Sequence, residues 1–140
     1  MQDNINKDFF FFKKSLNVCE DRMQIFLKYI KLLDSYQTKV NLIGKSTRDK
    51  IWSRHILDSA QILKLLPSEN KGRYIIDVGT GAGLPGLVLT ILGRNDIILC
   101  ENNQKKVGFL RAVTKECQLK VQIFKGKIES YNNKNTNIIV

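Results

Sequence analysis

The chain reads as an α/β protein, a helical N-terminal segment followed by an open parallel sheet. Three observations predict this. Residues in the first half recur at helical spacing, and from Arg73 onward short β-branched runs alternate with helical stretches. A glycine-rich turn, IIDVGTGAGLPG (75–86), stands where the first of those runs ends. Strands alternating with helices build right-handed βαβ units, which give a parallel sheet covered on both faces.

The elements follow in order. Val18, Arg22, Met23, Phe26, Tyr29, Ile30, Leu33 and Tyr36 lie three or four apart, so an amphipathic helix is expected over 18–36. TKVNLIGK (38–45) reads as a loop, and Ser46-Thr47-Arg48-Asp49 has the form that caps a helix start. The helix it would open, over 47–66, buries Ile51, Trp52, Ile56, Ala60 and Leu63 until Pro67 closes it. YIIDV (74–78) is the first strand, and PGLVLTILG (85–93) is a helix with Pro85 in its first turn and Gly93 just past its end. DIILCE (96–101) and KVQIFKG (120–126) are the next strands. Between them a helix over 103–118 buries Val107, Leu110, Val113 and Cys117, and NIIV (137–140) begins a fourth strand. The division this suggests is a helical segment over 1–70 and a ligand-binding α/β core over 71–140. Because the sequence stops inside an apolar strand, the C-terminal part of the sheet is expected to be missing from it.

Bulk properties narrow the class. A chain of 140 residues is one domain's worth, enough to bury about two-thirds of its unfolded surface. No apolar run approaches the roughly 18 residues that cross a bilayer, and MQDNINKDFFFFKK lacks the pattern of a secretory signal. A cytoplasmic protein without membrane contact is expected. Cys19, Cys100 and Cys117 lack metal-type spacing, so they read as small core residues and no metal is expected. The net charge of +10 comes from 17 lysines and six arginines against 13 acids. It suits a nucleic-acid partner, since lysines and arginines paired with phosphates release counterions. The 12 asparagines beside so many lysines equally suit compositional drift from AT-rich coding DNA, and charge alone leaves both readings open.

The glycine turn sits where an open α/β sheet binds ligands, beyond the carboxyl end of its first strand. Gly79, Gly81 and Gly83 allow backbone angles and a close approach that side chains would block. A helix starting near Leu84 would aim unpaired N–H groups at an anionic group there. Glu101, 20 residues past Gly81 at the end of the second strand, suits the ribose hydroxyls of a nucleoside. Gly81-Ala82-Gly83-Leu84-Pro85-Gly86 also satisfies G-x-G-x-x-G, so an oxidoreductase binding NAD or FAD is one alternative, and an inactive cofactor-binding fragment is another. Asp77 speaks against the dinucleotide. A pyrophosphate beside a carboxylate at low dielectric is unfavourable. S-adenosyl-L-methionine instead brings an ammonium and a sulfonium, with one carboxylate for the helix end.

The pattern DVGTGAGLPG (77–86), together with RHILDS (54–59), resembles the glucose-inhibited division protein B family. Weaker matches are KVNL (39–42), KKVGFLR (105–111) and GKIES (126–130). The resemblance covers essentially all of this chain but only about the first two-thirds of a typical member. It implies a Rossmann-like class I methyltransferase fold that transfers a methyl group from S-adenosyl-L-methionine to guanine N7 in small-subunit (16S) ribosomal RNA. Gly79 and Leu84 would then contact the methyl donor, Glu101 its ribose, and Ile128 and Glu129 its adenine. The family usually carries Trp-Asn where this chain has Tyr36-Gln37, and an acid at Asn137. No catalytic acid or base is implied, because guanine N7 already presents a free lone pair. A monomer acting on ribosomal RNA or the small subunit is expected.

Arg54 and His55 stand beside the apolar stripe of the 47–66 helix. Two roles suit them: an RNA-facing rim, in which Arg54 touches phosphate, and a structural one, in which Asp58 or a backbone carbonyl holds the imidazole. Lys105, Lys106 and Arg111 read as a solvated helix face or as part of the RNA path.

Overall fold

The computed structural model of the chain describes residues 2–132 and 136–140. It opens with α1 (Gln2–Ser15), which helical spacing did not predict, and α2 (Glu20–Gln37). Glu20 and Asp21 sit in the first turn of α2, where acids favour the helix dipole. Its buried face is Met23, Phe26, Tyr29 and Leu33, as the spacing predicts. From α1, Phe12 is fully buried, with its ring edge-on to Phe26 at 5.2 Å and tilted against Trp52 at 5.5 Å.

The single helix expected over 47–66 is instead four short pieces. A 3-10 helix (Lys45–Lys50) leads into a π-helical turn (Trp52–Leu57), then α3 (Asp58–Gln61), then a second 3-10 turn (Ile62–Leu65). Ser46 does not cap it. Extended Gly44 stands at the first boundary, and the Thr47 hydroxyl donates back to the Gly44 carbonyl at 3.0 Å. Ile51, Trp52, Ile56 and Ala60 nonetheless face the core. The widened turn lets these residues reach inward where ideal helical geometry would rotate some of them away. Leu66 is extended, as a residue before proline prefers.

The sheet consists of β1 (Tyr74–Val78), β2 (Ile97–Glu101), β3 (Gln122–Lys125) and β4 (Thr136–Ile139), all parallel, in the order β3-β2-β1-β4. Between them lie α4 (Gly86–Ile91) and α5 (Gln104–Glu116). The step from β1 to β2 to β3 runs one way across the sheet, so right-handed crossovers put α4 and α5 on one face. There Ile75, Ile97 and Leu99 join Leu87, Val88, Phe109, Leu110 and Val113 and the buried side of α2 in a single cluster. On the opposite face Ile76, Ile98 and Cys100 form a smaller cluster with Phe124, Ile128 and Tyr131. Among the described residues the α-helical cover therefore lies on one face, not on both as expected.

Cys100 and Cys117 are buried, whereas Cys19 is exposed just ahead of α2. The side chain of Asn137 lies outside the described residues. No helix among the described residues is long and apolar enough to cross a membrane, and no group of three His, Cys, Asp or Glu there could hold a metal ion.

Candidate functional site

Strand order reverses at β1, with β2 and β3 to one side and β4 to the other. Such a switch point leaves a crevice at the carboxyl ends of the strands. The glycine loop crosses it. The N–H groups of Gly79 and Thr80 both donate to the Cys100 carbonyl at 2.9 and 3.2 Å, pinning the loop over the end of β2. Those of Gly83 and Leu84 donate to the Thr80 carbonyl at 2.9 and 3.1 Å. A cis Leu84-Pro85 peptide then leads into α4. Gly79 is exposed at φ +67°, and a Cβ built there meets nothing within 4 Å, so the backbone lies bare at the mouth.

Asp77 occupies a different place from the one its sequence position suggested. It lies beneath the loop, 2% exposed, rather than at its mouth. Its Oδ2 accepts the Gly86 N–H at 2.7 Å and the Thr80 hydroxyl. Burial raises its carboxyl pKa, the two hydrogen bonds oppose that shift, and the Glu101 charge adds to it. Gly86 is required here: a Cβ would stand 2.3 Å from Leu99 Cδ2 and 2.7 Å from Asp77 Oδ2. The expected cradle of free helix amides is also altered. The helix starts at Gly86 rather than near Leu84, the Gly86 N–H is held by Asp77, and that of Leu87 donates to the Gly83 carbonyl at 2.7 Å.

Glu101 does stand beside the loop. Its Oε2 accepts the Gly81 N–H at 2.9 Å, and its Oε1 accepts the Asn103 N–H at 2.8 Å. Asn103 in turn caps α5, accepting from the Lys105 and Lys106 amides. Glu101 thus ties the glycine loop to the start of α5, and each of its oxygens keeps a second acceptor position. Beyond β3 the chain turns at Gly126, whose N–H donates to the Glu101 carbonyl at 3.0 Å, into a 3-10 turn (Ile128–Ser130). Ile128 is half-buried there, packed against the cluster of Ile76, Ile98 and Cys100, and Glu129 is exposed. Gly79, Gly81, Glu101, Ile128 and Glu129 therefore follow one another along the carboxyl ends of β1, β2 and β3. Leu84 is half-buried against the helical cluster.

Arg54 and His55 lie on the π-helical turn, and among the described residues no hydrogen bond or ion pair joins them to the strand ends. Arg54 is exposed. His55 is half-buried, its Nε2 2.7 Å from the Thr47 hydroxyl rather than on Asp58 or a carbonyl. Burial lowers its pKa, and the Asp58 charge works against that.

Two contributors escaped sequence reasoning. The fully buried Tyr29 of α2 donates its hydroxyl to the Ala82 carbonyl at 2.6 Å, and Arg22 donates to the Leu92 carbonyl at 2.6 Å. Both looked like ordinary positions of an amphipathic helix. A cleft of about 390 Å³ lined by Pro67, Asn70, Arg73, Tyr74 and Asp96 lies at the amino ends of β1 and β2, the wrong end of the sheet for this site.

Residues 22–140 match the family GidB, rRNA small subunit methyltransferase G. The chain belongs to the GidB family. Relatives with the name ribosomal RNA small subunit methyltransferase G include one from Rhodospirillum rubrum, 42% identical over 71% of this chain and 48% of its own length. One from Cereibacter sphaeroides is 34% identical over 89% of this chain and 62% of its own. Another from Orientia tsutsugamushi is 34% identical over 86% and 60%. The chain thus spans about half to three-fifths of the length of these GidB relatives. The family match begins at α2, so Tyr29, the glycine loop and the ends of β2 and β3 all fall inside it, while α1 precedes it.

Proposed function

We propose that this chain is the methyl-donor-binding part of an enzyme that transfers a methyl group from S-adenosyl-L-methionine to guanine N7 of 16S ribosomal RNA. The observation that carries this reading is the glycine loop at the switch point, with the Glu101 carboxylate against it, in a chain of the GidB family. The residues suit such a donor. Glu101 has acceptor capacity left for two ribose hydroxyls, and half-buried Ile128 offers an apolar surface to an adenine with Glu129 next to it. Bare backbone at Gly79 admits close approach of the amino-acid portion. Gly81 serves through its N–H, which fixes the rotamer of Glu101. Asp77 acts on the donor through the loop it clamps and not by contact.

When bound, the donor supplies a methyl already made electrophilic by its sulfonium. The protein's residues hold and orient. Well-oriented reactants can lower a barrier by about 7–11 kcal/mol, and guanine N7 has no proton to remove, so no side chain is assigned as acid or base. The excess of ten positive charges supports attraction of the RNA, with Arg54 as a phosphate contact and His55 at the same rim. The reading takes the protein as a cytoplasmic monomer, with residues 71–140 as the donor-binding core.

The dinucleotide alternative has less support. Its doubly charged pyrophosphate would face a helix start whose first amides are taken internally, above a buried carboxylate. Titration calorimetry with S-adenosylhomocysteine and with NAD separates the two. Binding of the former supports the proposal, and binding of NAD alone overturns it.

A further inference from the structure

Helix α2 touches the glycine-loop unit at both of its ends. Tyr29 and Arg22, seven residues and thus two turns apart, lie on one side of α2 and reach Ala82 and Leu92 respectively. The Tyr29 ring is fully buried, tilted against Phe109 of α5 at 6.3 Å, so its hydroxyl has one rigid direction. That hydroxyl meets the peptide in the middle of the loop. The N–H of that same peptide, on Gly83, donates to the Thr80 carbonyl, and the Thr80–Gly81 peptide that carries this carbonyl points its own N–H at Glu101. Rotation of the Ala82–Gly83 peptide would strand the tyrosine hydroxyl and disturb both neighbouring bonds.

We propose that α2 is a splint for the methyl-donor loop, with Tyr29 as the positioning residue that sets the orientation of the Ala82–Gly83 peptide and, through it, the approach of Gly81 to Glu101. The assignment rests on the donor reading above for its functional meaning, and on the loop geometry for its physical content. A buried carbonyl left without its donor loses a hydrogen bond and gains an unsatisfied group, so the cost falls on the loop. Arg22 makes the matching contact at the far end of α4, where its loss should leave the loop unchanged.

Tyr29→Phe and Arg22→Gln in the full chain test this by amide hydrogen exchange and calorimetry. Phe keeps the ring and its packing. Tyr29→Phe is expected to speed exchange at residues 81–84 about tenfold while β2 and α5 stay as protected as in the parent chain. Its affinity for S-adenosylhomocysteine should fall by a similar factor. Arg22→Gln should speed exchange near Gly93 and leave residues 81–84 alone. Unchanged loop exchange in Tyr29→Phe, a uniform rise across loop and sheet, or faster loop exchange with unaltered affinity would each overturn the assignment. Failure of the parent chain to bind S-adenosylhomocysteine would refute the donor reading instead, and the exchange pattern would still decide whether Tyr29 holds the loop.

Discussion

Replacing Asp77 tests whether the acid before the glycines is a structural clamp. In Asp77→Ala the Gly86 N–H and the Thr80 hydroxyl, both buried, lose their acceptor. Each orphaned group costs about 1–3 kcal/mol, and relief of the carboxylate's own burial returns part of that. A net loss of about 3 kcal/mol is expected, a large share of the roughly 5–15 kcal/mol that holds a domain together. Asp77→Asn keeps an acceptor oxygen but puts an amide NH2 in the buried place of the second carboxylate oxygen, so about 1 kcal/mol should be lost near neutral pH. The sign of the pH dependence follows from the raised carboxyl pKa. A carboxyl raised above its ordinary 3.8 contributes most stability below that value and loses it as pH rises through the folded value. The gap between the parent chain and the Asn variant should therefore narrow as pH rises above 3.8 and through the raised folded value. Urea unfolding followed by circular dichroism at matched pH measures all three chains. An alanine variant within about 0.5 kcal/mol of the parent, or an Asn variant as damaged as the alanine one, would refute the clamp.

Other consequences are directly measurable. Gly86→Ala should destabilise by about 1–3 kcal/mol through overpacking against Leu99 and Asp77, lowering the thermal midpoint by several degrees. Asn103→Ala removes the cap of α5 and should cost about 1 kcal/mol in the same assay, with some loosening of the Glu101 contact visible in exchange at Gly81. His55 is the sole histidine, so its imidazole resonances can be followed by NMR without assignment. They should titrate below the ordinary 6.5, which means its contribution is complete above that pH and is lost as pH falls through the lowered value. Thr47→Val should shift that titration, since it removes the hydroxyl 2.7 Å from Nε2.

The strands and the loop were legible because their signals are local. YIIDV, the glycines after it and IILCE each declare themselves within a few residues, and β1, β2 and α5 fall within one or two residues of their predicted limits. The 47–66 stretch misled because its apolar spacing suits several kinds of helical turn, and which one forms depends on what the core has room for. Asp77 misled for a related reason. A strand buried on both faces has no polar alternation, so nothing in YIIDV tells which side the acid faces. Tyr29 was hidden by distance, since its partner lies 53 residues away.

Residue order alone determined that a glycine-bearing turn would follow the first strand of a parallel sheet, and that Glu101 would end the next strand beside it. Spacing and backbone permissiveness suffice for that, because each acts over one element. The tertiary structure decided the rest: that Asp77 points down to Gly86 and Thr80, that Glu101 grips Gly81, and that α2 reaches across to Ala82. Those contacts join elements far apart along the chain, and their partners are selected only when packing brings buried polar groups together with no water left to satisfy them.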